Sequence, residues 1–129
     1  MEDRPILETP DTQHKILILD DEPAIAEPFE TALQELGHDV RSTTDGKEAV
    51  KLIDLFAPDL LVTDINLPEI DILDLIAELR RSRPRLRIIA ISGNSHLLRL
   101  AAQHGADHVL PKPFRVGELN ALVEKLLGR

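Results

Sequence analysis

The chain has 129 residues, 43% of them hydrophobic, which suits one globular domain with one core and is short for two. Its 23 acidic and 15 basic residues leave a net charge of −8, which disfavours a nucleic-acid backbone as a direct partner, and the lack of cysteine excludes disulfides, thiolate zinc sites and cysteine nucleophiles. No apolar run approaches a membrane span and Met1–His14 has no signal-peptide pattern, so we expect a cytoplasmic protein with a disordered tail over residues 1–14 and a domain over 15–129.

Ile16-Leu17-Ile18-Leu19 reads as a buried strand. Ile25, Phe29, Ala32, Leu33 and Leu36 then recur at helical spacing and stop at Gly37, with Pro28 expected to remove a hydrogen bond and kink the helix. Val40 to Thr43 is a weaker strand, closed by Asp45-Gly46, and Ala49, Val50, Ile53 and Phe56 form a second helical stripe ending before Pro58. Leu60-Leu61-Val62 is a third strand with Asp64 at its end. Ile72, Leu75, Ile76 and Leu79 give a third helix that finishes before Pro84. Ile88 to Ile91 is the fourth strand, and Ser92-Gly93-Asn94 turns into a short fourth helix with Leu97, Leu100 and Ala101, closed by Gly105. His108-Val109-Leu110 is the fifth strand, Pro111-Lys112-Pro113 a turn, and Val116, Leu119, Leu122, Val123 and Leu126 the fifth helix. The basic run from Arg80-Arg81 to Arg87 follows an apolar helix pattern and reads as a solvated helix end.

Five strand–helix units in succession imply a parallel sheet with helices on both faces. In such sheets ligands sit beyond the carboxyl ends of the strands. Those ends carry Asp20-Asp21, Asp64, Ser92 and Lys112. Any one of them alone has an ordinary explanation as a helix cap, a turn or a solvated charge. Together they bring three carboxylates, a hydroxyl and an ammonium to one rim. Converging carboxylates repel, and a hard cation such as Mg²⁺ or Mn²⁺ relieves the repulsion with all-oxygen ligation by Asp20, Asp21 and Asp64. A metal, an ammonium and a hydroxyl can neutralise the oxygens of a transferring phosphoryl group, with Asp64 as nucleophile.

The segments Ile18-Leu19-Asp20-Asp21-Glu22-Pro23, Leu61-Val62-Thr63-Asp64-Ile65-Asn66-Leu67-Pro68, Ile91-Ser92-Gly93 and Leu110-Pro111-Lys112-Pro113-Phe114 resemble the four signature segments of response-regulator receiver domains, over roughly residues 15–127. The resemblance implies a doubly wound five-stranded α/β fold of order 2-1-3-4-5, of the flavodoxin and CheY-like kind. It implies metal ligation by Asp21, Asp64 and the backbone carbonyl of Asn66, a metal-bound water held by Asp20, phosphorylation of Asp64, phosphoryl contacts from Ser92 and Lys112, and a cis bond before Pro113. The donor implied is a histidine kinase or histidine phosphotransfer protein, docking beside Ala24, Ala26, Pro28 and Phe114, with no enzymatic role beyond metal-dependent self-phosphorylation and slow autodephosphorylation.

Three departures from the family pattern stand out. Ile72 replaces a usual glycine, Val109 a usual switch aromatic, and the segment from Ser92 to Gly105 is short, so that the fourth helix is expected to be short or irregular. Leu97, Leu98 and Leu100 on that helix are the expected seat of a phosphorylation-dependent partner or dimer contact. The last helical stripe ends near Arg129, which reads as a domain that either acts alone or was excised from a longer protein. A flavin-binding relative is disfavoured by the acids after the first strand, and a phosphohydrolase by the lack of length for a substrate pocket. A receiver fold working as an interaction module without phosphorylation is the remaining alternative.

Overall fold

A computed structural model describes residues 13–68 and 70–128. The tail expected over Met1–His14 lies outside the described residues except for Gln13 and His14. His14 already belongs to the fold, since its carbonyl accepts from the Asp39 N–H at 2.9 Å.

The elements alternate in chain order: β1 (Lys15–Leu19), α1 (Pro23–Glu35), β2 (Asp39–Thr43), α2 (Gly46–Phe56), β3 (Leu60–Asp64), α3 (Ile72–Ser82), β4 (Arg87–Ser92), α4 (Ser95–His104), β5 (His108–Pro111) and α5 (Val116–Leu126). The strands pair in parallel in the order β2-β1-β3-β4-β5, as the sequence implied. Side chains alternate across a strand, so each apolar run supplies both faces. Leu17, Leu19, Leu61, Ile88 and Ala90 pack with Ile53, Ile76 and Leu98 of α2, α3 and α4. Ile16, Ile18, Val62, Ile89 and Ile91 pack with Phe29 and Leu33 of α1 and Leu119 and Val123 of α5. The chain leaves β1 toward β2 and then resumes on the other side with β3, so the strand order reverses between β1 and β3. That reversal opens the crevice in which such sheets bind ligands.

Local chemistry sets the helix limits. Side-chain oxygens of Asp45, Asp71 and Asn94 accept from backbone N–H groups in the first turns of α2, α3 and α4. Gly105 closes α4 at φ 125°, a conformation that suits glycine, and an added Cβ would meet the Arg80 side chain at 3.0 Å.

Several expectations need correction. α1 continues through Pro28, which as the sixth residue of the helix has no N–H to give the Ala24 carbonyl, so the expected loss of one hydrogen bond does not end the helix. α4 is uninterrupted rather than irregular, and at 10 residues it is the shortest of the five described helices. Leu36 and Val50, both assigned to apolar stripes, are 41% exposed. Leu36 lies past the last turn of α1, and Val50 borders an open groove between α2 and α3 instead of entering the core with Ala49 and Ile53. Ile72 is buried as the first residue of α3, with Asp71 capping the helix before it, so the missing glycine is replaced by a core contact.

Candidate functional site

The strand register sets the site. Leu19 lies level with Thr43 and Thr63, Asp64 with Ile91, and Ser92 with Pro111, so the residues following these positions all leave the sheet at one edge. Asp20, Asp64 and Ser92 are buried there, whereas Asp21 and Glu22 are exposed. One carboxylate oxygen from each of Asp20, Asp21, Glu22 and Asp64 lies within 4.8 Å of the others. Lys112 reaches in from the end of β5: its Nζ donates to Asp64 Oδ2 at 3.1 Å and lies 3.6 Å from Glu22 Oε1 and 3.9 Å from Asp20 Oδ2. The Lys112–Pro113 peptide is cis, as expected.

Backbone donors hold the acids in place. Asp20 Oδ1 accepts from Glu22 N–H, and Asp64 Oδ1 accepts from Asn66 N–H, each at 2.9 Å. Asp64 thus has one oxygen tied to its own loop and the other turned to Lys112. The Ser92 hydroxyl accepts from Asn94 N–H at 3.0 Å, and its carbonyl accepts from Lys112 N–H at 3.0 Å, which ties the β4 loop to the β5 loop across the site.

Four carboxylates share this rim with one ammonium. Burial pushes the Asp20 carboxyl above its ordinary 3.8, aided by the charges of Asp64 and Asp21; the Glu22 N–H and Lys112 pull the other way and lose. Lys112 is raised above its ordinary 10.5: desolvation favours the neutral amine, but the hydrogen bond and charge of Asp64, with Asp20 and Glu22 behind them, outweigh it. The donor set, all oxygen and strongly anionic, fits a hard divalent cation.

A raised carboxyl means that the folded protein holds a proton the unfolded chain releases. In the metal-free protein, Asp20 therefore costs stability as pH rises from 3.8 through its raised folded value, and that cost is removed on acidification. Asp20→Asn is expected to raise the melting temperature of the metal-free protein at neutral pH and to reduce the further rise on adding Mg²⁺. Calorimetric scans with and without Mg²⁺ check both effects.

The other expected site residues are dispersed as follows. Ala24 and Pro28 are exposed on α1 and border an apolar groove with Ile25, Pro113, Phe114 and Val116. Ala26 is buried and cannot present itself to a partner, which corrects its place in the docking set. Phe114 is half-buried and stacks on Phe29, with centroids 5.0 Å apart and planes at 17°, so it both anchors the start of α5 and lines the groove. Leu98 is buried and Leu97 is packed against the same core, leaving little of this pair for a partner, while Leu100 is half-buried. Val109 is half-buried on β5 against the α4 side of the core. Sequence reasoning gave Glu22 no role of its own; the signal available was a side chain too long to cap, placed where a helix begins.

A family model for the response regulator receiver domain matches residues 16–124. The chain is 40% identical over 115 residues to the DNA-binding transcriptional regulator NtrC of Azospirillum brasilense, covering 88% of this chain and 24% of that protein. It is 34% identical to the alkaline phosphatase synthesis regulator PhoP of Bacillus subtilis, covering 89% and 49%. It thus spans half or less of the length of these two relatives. Among solved structures, a response regulator from Chloroflexus aurantiacus aligns at 33% identity with a TM-score of 0.82, over 91% of this chain and 99% of that one. The receiver domain of NtrX from Brucella abortus aligns at 32% with a TM-score of 0.80, over 88% and 98%.

Proposed function

Since the chain belongs to the response-regulator receiver family of two-component signalling, we propose that Asp64 is its phosphoryl acceptor and that Asp20, Asp21 and the Asn66 carbonyl, with Asp64, hold a Mg²⁺ ion. The observation that carries this reading is the geometry at Asp64: a buried carboxylate with one oxygen fixed by Asn66 N–H and the other 3.1 Å from Lys112 Nζ, inside an anionic cluster. A Mg²⁺ bound there supplies charge neutralisation for the phosphoryl oxygens. A phosphohistidine donor suits the chemistry. An Asp64 oxygen forms the new O–P bond as the P–N bond breaks, and the donor imidazole keeps that electron pair and takes up a proton. Lys112 and the Ser92 hydroxyl are placed to meet the phosphoryl oxygens, and the groove bordered by Ala24, Pro28 and Phe114 offers the donor an apolar seat beside the rim. The domain makes no turnover chemistry of its own beyond this transfer and slow hydrolysis. Among the described residues no helix is long and apolar enough to cross a membrane.

The signal leaves the site through the β4–α4 segment. Among the described residues beyond its chain neighbours, an added Cβ at Gly93 would meet nothing nearer than Lys112 Cβ at 4.0 Å, so the backbone between Ser92 and Asn94 has room to close on a phosphoryl group. Val109 has one restricted rotor and little surface to bury or expose. Phosphorylation is expected to reorder residues 92–104 and leave Val109 nearly still, with Leu100 contributing to any partner or dimer contact that follows. Backbone and methyl NMR of the free and beryllofluoride-bound protein checks this. Large shifts at the Val109 methyls with a quiet 92–104 segment would refute it.

A further inference from the structure

Glu22 occupies the N-cap of α1, where short side chains that fold back onto the first-turn N–H groups are preferred. Its side chain makes no capping hydrogen bond, and the first turn of α1 contains no acid to compensate. The carboxylate instead extends over the rim, where it is 60% exposed and 3.6 Å from Lys112 Nζ. Its own backbone is held at the site by the N–H bond to Asp20 Oδ1. Lys112 is therefore shared by Asp64, Glu22 and Asp20 at 3.1, 3.6 and 3.9 Å.

We propose that Glu22 is a positioning residue that holds the Lys112 ammonium toward the solvent side of the site and competes with an incoming phosphoryl group for it. The proposal rests on Asp64 being the acceptor and adds a determinant of how readily the acceptor is charged. When a phosphoryl oxygen arrives, Lys112 must give up part of its contact with Glu22. Because Glu22 is solvated, that contact is weak enough to surrender and strong enough to slow the approach of an anionic donor. Charge alone would do the second without the first, so the two must be separated.

The test compares Glu22→Gln, which removes the charge, with Glu22→Asp, which keeps the charge but draws it back by one methylene. Phosphoramidate serves as the probe donor at saturating Mg²⁺, and the half-saturating concentration is read apart from the maximal rate. Both variants are expected to lower the half-saturating concentration about two- to fivefold, the range of an exposed ion pair. In a Lys112→Ala background the same changes are expected to have no effect, because the contested group is gone. In the free protein without donor, the Lys112 ε-methylene NMR signals are expected to move in both variants. An Asp variant that behaves as wild type, or a Gln effect that persists without Lys112, would overturn the proposal in favour of plain charge repulsion. A rise in the half-saturating concentration would overturn it too. If even the wild type takes up no phosphoryl group, the acceptor reading fails, and the Lys112 signals then decide by themselves whether Glu22 holds the ammonium: unmoved signals overturn the proposal.

Discussion

Asp64→Asn is expected to abolish phosphoryl uptake while leaving the fold intact. The two side chains are nearly isosteric, and the amide oxygen can still accept the Asn66 N–H bond that Asp64 Oδ1 accepts at 2.9 Å. What disappears is the anionic oxygen facing Lys112, which is both the nucleophile and a member of the acidic cluster. Removal of a nucleophile has no partial substitute in this site. Asp20 is tied to Glu22 N–H, and Asp21 lies exposed at the rim. The thermal transition of the variant is expected to equal or exceed that of the metal-free parent, because one of several repelling charges is gone. Intact mass and circular dichroism on the same sample check both halves. A variant that still gains one phosphoryl group per chain would place the acceptor elsewhere.

The second large effect lies at the opposite end of the sheet. Arg80, on the last turn of α3, donates through Nε to the Gly105 carbonyl at 3.0 Å and through Nη1 to the Leu86 and Pro84 carbonyls at 2.9 and 3.2 Å. Its Nη2 meets Asp107 Oδ2 at 2.6 Å, and that oxygen also accepts from Ile88 N–H at 2.7 Å. One guanidinium thus joins the end of α3, the end of α4 and the starts of β4 and β5. Arg80→Met keeps most of the aliphatic stem but strands these acceptors. We expect it to cost about 2–3 kcal/mol, the range for losing charge-assisted bonds to partly buried partners. Arg81, exposed and without an ion pair among the described residues, is the control: Arg81→Met is expected to stay within about 0.5 kcal/mol of the parent. Urea unfolding of both variants measures the difference. Equal effects would show that the Arg80 contacts contribute nothing beyond a solvated charge.

The contrast between Arg80 and Arg81 shows where sequence reasoning stops. Both stand in the same basic run; helical spacing puts Arg80 four residues after Ile76, beside the apolar stripe, and Arg81 on the opposite side, but it names no partner for either. The distinction comes from Gly105 and Asp107, 25 and 27 residues further along, which the sheet carries to the end of α3. The carboxyl edge was legible for the opposite reason. Near-continuous apolar strands fix a parallel sheet, and a parallel sheet brings its strand ends together whatever the details of the helices. Asp20, Asp64, Ser92 and Lys112 follow from that rule alone. Helical periodicity was a coarser guide. It placed Leu33, Ile53 and Ile76 correctly in the core, but it could not tell that Val50 falls on the open side of α2 or that Leu36 lies past the end of α1. Glu22 was read as part of a motif, because its reach toward Lys112 depends on a side chain that comes from the end of β5 to the acids after β1.

The central claim is that this rim takes a phosphoryl group on Asp64 with the help of a divalent cation. Intact mass of the wild-type chain after incubation with phosphoramidate, with Mg²⁺ and again with excess chelator, followed by mapping of the modified peptide, tests it most directly. The account predicts one phosphoryl group per chain, located on Asp64 and absent when the metal is chelated. An unchanged mass in the presence of Mg²⁺, or a phosphoryl group mapped to any other residue, would contradict it.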